Sequence, residues 1–263
     1  MQNPKVKEAV RLRDKRRRDR SGLFLIEGFR EVLRALQSGW EFTQLFYCPE
    51  FFLGSNETKI IAAAQEAGAE VLECSRQVFE KLSYRDRPDG LLGISVSRSL
   101  TLEELSHKLE GHLYPFLVVC EAIEKPGNLG TILRTCDAVG ADALIVCDEC
   151  TDVFNPNVVR SSVGTLFSVP IVEATSVETR AYLKMRGISI VATTPDTDTL
   201  YTEADLRSAI AVCFGTEQYG LSAEWLENAD LKVVIPMCGI ADSLNVAIST
   251  GVMLYEVLRQ RSE

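Results

Sequence analysis

Five short, almost entirely apolar segments alternate with helix-like patterns in the second half of the chain, and this alternation restricts the fold more than any other feature. Apolar strands without polar alternation are typical of a parallel sheet that is covered by helices on both faces. The predicted strands are 116–120, 143–147, 188–193, 210–214 and 233–235, and the predicted helices lie near 129–139, 156–163, 177–185 and 244–259. The second half is therefore predicted to be an α/β domain.

The first hundred residues alternate in a similar way, with less strongly apolar strands. Because 263 residues exceed the usual size of one hydrophobic core, two domains are expected. We predict a smaller α/β domain over 1–98, a linker over 99–114 and a larger α/β domain over 115–263. Residues 4–20 are predicted to form one basic helix that ends at Gly22.

Residue types and their positions exclude several kinds of chemistry. No apolar run approaches the ~18 residues that span a bilayer, and the N-terminus is basic and polar, so we expect a cytoplasmic protein. Both histidines, His107 and His112, lie in the polar linker, which argues against a histidine-dependent hydrolase. Cys147 and Cys150 form a C-x-x-C without a second pair or a neighbouring histidine, so we expect reduced cysteines and no bound metal.

Charge is distributed unevenly along the chain. The net charge is −9, yet residues 1–20 hold nine basic and three acidic residues, a local charge of +6 that leaves −15 on the remainder. A local basic arm of this kind is typical of proteins that contact phosphate. The residues of the arm predicted to bind RNA are Lys15, Arg16, Arg17 and Arg18. A solvated helix face explains the same charges equally well, and the sequence leaves both interpretations open.

Three loops rich in glycine and small polar residues, 121–134, 215–222 and 235–246, follow predicted strands of the second domain. In an open α/β sheet, ligands bind beyond the carboxyl ends of the strands. The sequence contains neither the G-x-G of dinucleotide-binding folds nor the phosphate-binding G-x-x-x-x-G-K-[ST]. A cofactor is therefore expected to be held by three separate loops through backbone N–H and C=O groups.

These segments, together with Asn155-Pro-Asn-Val-Val-Arg-Ser-Ser-Val-Gly164, resemble the signature motifs of the SpoU (TrmH-like) RNA 2′-O-ribose methyltransferases of the SPOUT superfamily. The resemblance covers about residues 115–260, and the first hundred residues are similar to the L30e-like substrate-binding domain of the ribosomal-RNA members. It implies a parallel sheet threaded into a deep trefoil knot and S-adenosyl-L-methionine as the cofactor. It also implies a homodimer, with the apolar helix 244–258 as the candidate contact.

The same resemblance assigns functional residues. The candidate catalytic residues are Asn128 and Arg134 in the first motif, Glu217 in the second, and Ser243 and Asn245 in the third. The candidate cofactor-binding residues are Thr193, Gly215, Glu217, Gly220, Ile235, Met237, Gly239, Ser243, Leu244 and Asn245.

Methyl transfer is an in-line displacement, in which positioning supplies much of the rate enhancement. Arg134 is expected to stabilise the emerging alkoxide and to grip the adjacent phosphate, since a guanidinium is hard to deprotonate and so is a poor general base. Glu217 is expected either to fix its own loop or to hold Arg134. Ser243 is expected to cap the terminal helix, to face the reaction centre, or both.

Further RNA contacts are predicted outside the three loops. Arg160, on a predicted helix, is expected to contact phosphate. In the first domain, Lys81, Arg85 and Arg87 flank a Pro-Asp-Gly turn, and Tyr84 offers a ring on which a base can stack.

The sequence thus predicts an enzyme that methylates a ribose 2′-hydroxyl of one nucleotide in structured RNA, with 23S ribosomal RNA favoured because of the first domain. Three alternatives stay open: a transfer-RNA ribose methyltransferase, a non-catalytic RNA-binding or ribosome-assembly factor of the same fold, and an S-adenosylmethionine-dependent enzyme of the same knotted type that acts on another substrate. The presence of all five catalytic candidates counts against the second alternative.

Overall fold

The computed structural model describes residues 3–148 and 151–262, which form two compact units. The N-terminal unit contains the chain up to Arg98 together with Asp152–Ser168, and the C-terminal unit contains Ser99–Thr151 and the chain from Val169 onwards. Two predicted assignments therefore need correction. Residues 99–114 belong to the C-terminal unit rather than to a free linker, and 152–168 packs with the N-terminal unit although it was predicted to lie in the catalytic domain.

In chain order the strands are β1 (Leu23–Glu27), β2 (Phe42–Tyr47), β3 (Glu70–Glu73), β4 (Leu91–Val96), β5 (Phe116–Glu121), β6 (Ala143–Cys147), β7 (Ile171–Ala174), β8 (Ser189–Thr193), β9 (Ile210–Phe214) and β10 (Leu231–Val233). The helices are α1 (Pro4–Arg11), α2 (Lys15–Ser21), α3 (Phe29–Gln37), α4 (Glu57–Glu66), α5 (Arg76–Leu82), α6 (Leu102–Lys108), α7 (Pro126–Val139), α8 (Pro156–Ser162), α9 (Ser176–Met185), α10 (Ala223–Glu227) and α11 (Val246–Ser262).

The sheet of the N-terminal unit has four strands in the order β1-β4-β2-β3, with β4 antiparallel to both of its neighbours and β2 parallel to β3. Successive side chains of a strand point to opposite faces, which explains how β1 serves two cores. Leu25 packs in one cluster with Phe79 of α5. Phe24 instead lies 4.7 Å from Phe154, measured between ring centroids. This aromatic contact attaches segment 152–168 to the N-terminal unit.

The predicted single helix over 4–20 is wrong, because the chain breaks it into α1 and α2. Leu12 at the break is completely buried, and Asp14 caps α2 by accepting a hydrogen bond from the backbone N–H of Arg17. An aspartate in this position favours the start of a new helix over the continuation of an old one. Gly22 ends α2 in the left-handed conformation, as predicted.

The C-terminal unit contains a six-stranded, entirely parallel sheet in the order β10-β8-β9-β5-β6-β7, which confirms the predicted fold class. β5, β6 and β9 are buried along their whole length, as their continuous apolar sequences require. Two elements escaped prediction: β7, which is only four residues long and includes the exposed Glu173, and the short helix α10, which buries Trp225 completely.

Residues 99–114 are integrated into this unit by backbone pairing and by packing. Leu100 forms a parallel bridge with Val172, and its N–H donates to the carbonyl of Ile171 at 2.7 Å. α6 contributes the fully buried Leu105 to the core. Among the described residues, no helix has both the length and the apolar character required to cross a membrane. The trefoil knot stays a prediction of the resemblance.

Candidate active site

The candidate site lies at the carboxyl ends of β5, β8, β9 and β10, which are neighbours in the parallel sheet. Thr193 is the last residue of β8, Gly215 directly follows β9, and Ile235 comes two residues after β10. β5 leads through a short loop into α7, which carries both Asn128 and Arg134. Parallel strands place their carboxyl ends at one edge of the sheet, so these loops start side by side.

A chain of hydrogen bonds between side chains joins all three motifs. Asn245 Nδ2 donates to Asn128 Oδ1 at 3.2 Å, and Asn128 Nδ2 donates to Glu217 Oε1 at 2.6 Å. The backbone N–H of Glu124 donates to Glu217 Oε2 at 3.4 Å. Glu217 therefore fixes the start of α7 relative to its own loop.

The surroundings of Glu217 favour its anionic form. Partial burial raises the pKa of this carboxyl, but hydrogen bonds from Asn128 and from backbone N–H groups lower it, and the net pKa lies below the usual value. Donors that point at a carboxylate stabilise its charge in this way. Glu217 is thus ionised at neutral pH.

Arg134 projects from α7 and is exposed. Within the described part of the chain, its guanidinium has no hydrogen-bond or ion-pair partner. Of the two predicted roles for Glu217, holding Arg134 is therefore not seen, whereas fixing the loop is. All donors of Arg134 are available to a ligand.

The cap of the terminal helix differs from the prediction. Asn245, not Ser243, caps α11: its Oδ1 accepts from the backbone N–H of Ala247 at 3.0 Å. Ser243 is exposed two residues further from the helix, too far along the chain to take the capping position. Asn245 thus uses its oxygen for the cap and its nitrogen for Asn128.

The second loop closes tightly on itself. The N–H groups of Thr216 and Gly220 donate to each other's carbonyls at 3.0 Å. A Cβ on Gly215 would lie 2.1 Å from the Gly220 carbonyl group, so only glycine fits without movement of the backbone. Glu121, which sequence analysis did not single out, accepts from the N–H of Ser222 at 2.8 Å and ties this loop to β5. The signal in the sequence that could have identified Glu121 is an acidic residue at the end of an apolar strand.

The third loop presents free backbone groups. Residues 235–244 are irregular, and within the described chain their N–H and C=O groups make no hydrogen bonds. Most of the loop is exposed, including the apolar side chains of Met237 and Ile240. Thr193, another predicted cofactor-binding residue, has no free hydroxyl donor, because this hydroxyl already donates to the carbonyl of Cys213 at 2.8 Å. Free main-chain donors and acceptors beside apolar side chains suit a ligand that is both polar and apolar.

The basic arm divides into buried and exposed residues. Arg18 is only 4% exposed, forms an ion pair with Asp152 and donates to the carbonyls of Leu12 and Arg13. Its predicted contact with RNA is therefore wrong, because its donors are used within the fold. Arg17 pairs with Glu8 and Lys15 with Asp19, but both keep exposed surface. Arg16 is exposed. Arg16 is the strongest remaining candidate of the arm.

The predicted stacking loop of the first domain is internal rather than free. Arg85 forms an ion pair with Glu31 at 2.9 Å and donates to the carbonyl of Glu27. The hydroxyl of Tyr84 is buried, and burial raises its pKa far above the usual value. Neither residue is arranged to meet a base or a phosphate. Arg160, in contrast, lies exposed on α8.

The structure also bears on the cysteines. Cys147 is buried and lies 3.3 Å from the hydroxyl of Thr179, and burial raises the pKa of its thiol to about 12. Cys150, the other half of the C-x-x-C, lies outside the described residues. Among the residues that are described, no cluster of His, Cys, Asp and Glu is arranged to hold a metal ion.

Comparison with known proteins gives two family matches. The model of the SpoU rRNA Methylase family matches residues 115–255, and the model of the MRM3-like substrate binding domain matches residues 3–93.

Individual relatives match over nearly the whole chain. The 23S rRNA (guanosine(2553)-2′-O)-methyltransferase RlmP of Bacillus subtilis (strain 168) is 29% identical over 255 residues, which cover 97% of this chain and 96% of that protein. The 23S rRNA (uridine(2479)-2′-O)-methyltransferase of Streptomyces viridochromogenes is 31% identical over 258 residues, which cover 95% of this chain and 87% of that protein. The crystal structure of an AdoMet-bound rRNA methyltransferase from Sinorhizobium meliloti has a TM-score of 0.90 at 34% identity and covers 98% of this chain and 95% of its own.

Proposed function

This chain belongs to the SpoU rRNA methylase family, and we propose that it transfers a methyl group from S-adenosylmethionine to the ribose 2′-oxygen of one nucleotide in 23S ribosomal RNA. The observation that carries the proposal is the hydrogen-bonded chain Asn245–Asn128–Glu217, formed from all three motifs. Arg134 lies on the same helix as Asn128 and has no partner in the described chain. The two relatives with named nucleotides modify a guanosine and a uridine, so family membership leaves the base unspecified.

The loops fit the cofactor through their free polar groups. The unpaired backbone of 235–244, with Ile235, Met237, Gly239 and Leu244, would hold the cofactor together with the tight turn at Gly215 and Gly220. A side chain at 215 would displace the backbone of that turn. Glycine at this position therefore keeps both strands of the loop close enough to line one pocket.

The cofactor, when bound, supplies an electrophilic methyl group on a sulfonium sulfur. The protein must place the ribose hydroxyl in line with that methyl group and stabilise the negative charge that develops on the attacking oxygen. We assign the second task to Arg134, whose donors are unused in the described chain. We assign the first to Asn128, held between Asn245 and the anionic Glu217, because two fixed hydrogen bonds set its orientation. Ser243 is exposed in the third loop and is assigned a contact with substrate or cofactor.

RNA recognition is assigned to the N-terminal unit, whose sequence matches a substrate binding domain. Arg160 and Arg16 are exposed there, and we propose that both contact phosphate. Lys15 and Arg17 contribute less, because each already has an acidic partner. A ribosomal RNA substrate places the protein with the ribosomes, in the cytoplasm.

We further propose that the enzyme is a homodimer with α11 in the contact. α11 leaves two large apolar side chains exposed, Ile248 at 56% and Tyr255 at 55%, seven residues apart on one side of the helix. A double substitution of both residues by aspartate is expected to convert a dimer to a monomer in light scattering. A dimer that survives the substitution would exclude this face.

The central experiment measures transfer of labelled methyl from S-adenosylmethionine to ribosomal and transfer RNA isolated from a strain that lacks this gene. We expect label in 23S RNA as 2′-O-methylribose, and transfer about 10²- to 10³-fold slower with Arg134→Ala. Label in transfer RNA instead would favour the alternative substrate. Cofactor binding without transfer to either RNA would point to another substrate, and a protein that binds RNA but no cofactor would be an assembly factor.

A further inference from the structure

Both ends of α8, the helix that carries Arg160, are held by arginines from other parts of the N-terminal unit. At its beginning, Arg18 Nε donates to Asp152 Oδ2 at 2.8 Å in a buried ion pair. The other oxygen of Asp152 accepts from the N–H of Phe154 at 2.9 Å, and its carbonyl accepts from the N–H of Asn155 at 3.0 Å. The buried pair therefore fixes the turn that leads into α8.

At the end of α8, Arg34 of α3 holds the carbonyl of Val163. Arg34 Nη1 donates to this oxygen at 2.8 Å. Val163 has a φ of +53°, which a β-branched residue rarely adopts and which needs support from its surroundings. The N–H of the same residue donates to the carbonyl of Arg160 at 3.2 Å and closes the last turn of the helix. Arg34 thus acts on the peptide that shapes the backbone at Arg160.

Gly164 makes this contact possible. A Cβ at this position would lie 2.6 Å from Cδ of Arg34, so the aliphatic part of Arg34 crosses the chain where glycine leaves space. The glycine also has a φ of +87°, in the region that favours glycine. Arg34 is therefore engaged both by its guanidinium and by its methylene groups.

Arg160 itself has no such support. Its side chain is exposed, and within the described chain it has no hydrogen-bond or ion-pair partner. An arginine that contacts phosphate from a fixed backbone loses less conformational freedom on binding than one on a mobile turn. The position of Arg160 then depends on whatever fixes the end of α8.

We propose that Arg34 is a positioning residue for RNA: it holds the strained end of α8 so that Arg160 meets a phosphate of the substrate. This inference rests on the proposed function, in which Arg160 contacts RNA. Arg34 acts through Arg160 and makes no phosphate contact of its own.

The test is a double-mutant cycle on the full-length protein. Arg34→Met keeps the methylene packing over Gly164 and removes the donor to Val163, Arg160→Ala removes the proposed phosphate contact, and a third protein carries both changes. Arg30→Ala is the matched control, since Arg30 lies exposed one turn earlier on α3 and has no hydrogen bond to 152–168 in the described structure. The measurements are kcat and KM for ribosomal RNA, the salt dependence of RNA binding, and the affinity for S-adenosylmethionine.

We expect Arg34→Met and Arg160→Ala each to raise KM for RNA about fivefold, the size of one exposed hydrogen bond, with kcat and cofactor affinity unchanged. Each lowers the slope of log K against log salt by about 0.7 to 0.9, the value for one lost phosphate contact. The double variant should be no worse than Arg160→Ala alone, and Arg30→Ala should leave KM for RNA and the salt slope unchanged.

Three results would overturn the inference. The first is a wild-type KM for Arg34→Met, and the second is a double variant whose effect is the product of the two single effects, which would mean that Arg34 contacts RNA directly. The third is a wild-type KM and salt slope for Arg160→Ala. Failure of the proposed function is distinct from all three, because the wild-type protein would then transfer no methyl group to any RNA.

Discussion

Glu27 in the N-terminal unit and Glu217 in the C-terminal unit both accept two or more hydrogen bonds, yet their pKa values are shifted in opposite directions. Burial raises the pKa of Glu27, and the donors from Ser83 and Tyr84 offset only part of this effect. Burial also raises the pKa of Glu217, but there the hydrogen bonds from Asn128 and the backbone outweigh it. Glu27 is completely buried, whereas Glu217 is only half-buried. The depth of burial, rather than the presence of hydrogen-bond donors, decides whether the pKa of each glutamate is raised or lowered.

Two arginines, one from each unit, also differ in burial. Arg18 is buried and uses its donors within the fold, while Arg134 is exposed and without a partner in the described chain. A buried, satisfied guanidinium holds structure, and a free one on the helix that follows β5 is available for chemistry. Arg18 thus serves the fold of the N-terminal unit, whereas Arg134 keeps its charge available at the candidate site. The following changes test that distinction.

Arg18→Met should produce the largest effect, and it should act on stability. Removal of one partner leaves the largely buried Asp152 with only its backbone hydrogen bond from Phe154, which costs about 3 kcal/mol of unfolding free energy. Denaturation in urea, followed by circular dichroism, measures the loss. Arg16→Met is the matched control on the same helix and should change stability by less than about 0.5 kcal/mol. Equal losses of unfolding free energy in the two variants would contradict the assignment of Arg18 as structural and Arg16 as exposed.

Arg134→Ala should affect activity alone. Loss of a preorganised donor to a developing oxyanion lowers kcat by about 10²- to 10³-fold, while the unfolding free energy stays within about 0.5 kcal/mol because the side chain is exposed. Single-turnover methyl transfer measures the first quantity and urea denaturation the second. Arg134→Lys keeps the charge but loses the planar fork, so substantial retained activity would show that geometry is dispensable.

The pH dependence of stability should separate the two glutamates. The folded pKa of Glu27 is raised, so its contribution is fully present below its ordinary value of 4.5 and is lost as pH rises through the folded pKa. The folded pKa of Glu217 is lowered, so its contribution is present above 4.5 and is lost as pH falls through the folded pKa. Glu27→Gln should therefore reduce the fall in unfolding free energy as the pH rises above 4.5. Glu217→Gln should reduce the fall in unfolding free energy as the pH drops below 4.5. A Glu27→Gln profile parallel to that of the wild type would contradict the assignment.

Sequence patterns predicted the sheet of the C-terminal unit because its strands are continuous apolar runs, and 143–147 and 210–214 were predicted to the residue. The motifs indicated which loops meet, since parallel strands bring their carboxyl ends together. The pattern of charge did not predict that Arg18 is internal, because burial of an arginine depends on the distant Asp152. Likewise, Ser243 and Asn245 are both good capping residues by type, and only the start of α11 at Val246 decides between them.

Tyr84→Phe should produce the smallest effect, and one of opposite sign. The hydroxyl of Tyr84 is buried, and its contact with the Glu27 backbone falls outside ordinary hydrogen-bond geometry, so its removal relieves a desolvation penalty and should stabilise the protein by about 1 kcal/mol. Tyr182→Phe is the matched change in the C-terminal unit, where another buried hydroxyl is unpaired in the same sense, and a similar gain is expected. Tyr47→Phe is the contrasting control, because the Tyr47 hydroxyl donates to Glu73 at 2.9 Å and its loss should not stabilise. Differential scanning calorimetry of the three variants measures the change in unfolding free energy. Destabilisation by Tyr84→Phe would mean that the Tyr84 hydroxyl is hydrogen-bonded within the N-terminal unit, as the guanidinium of Arg18 is.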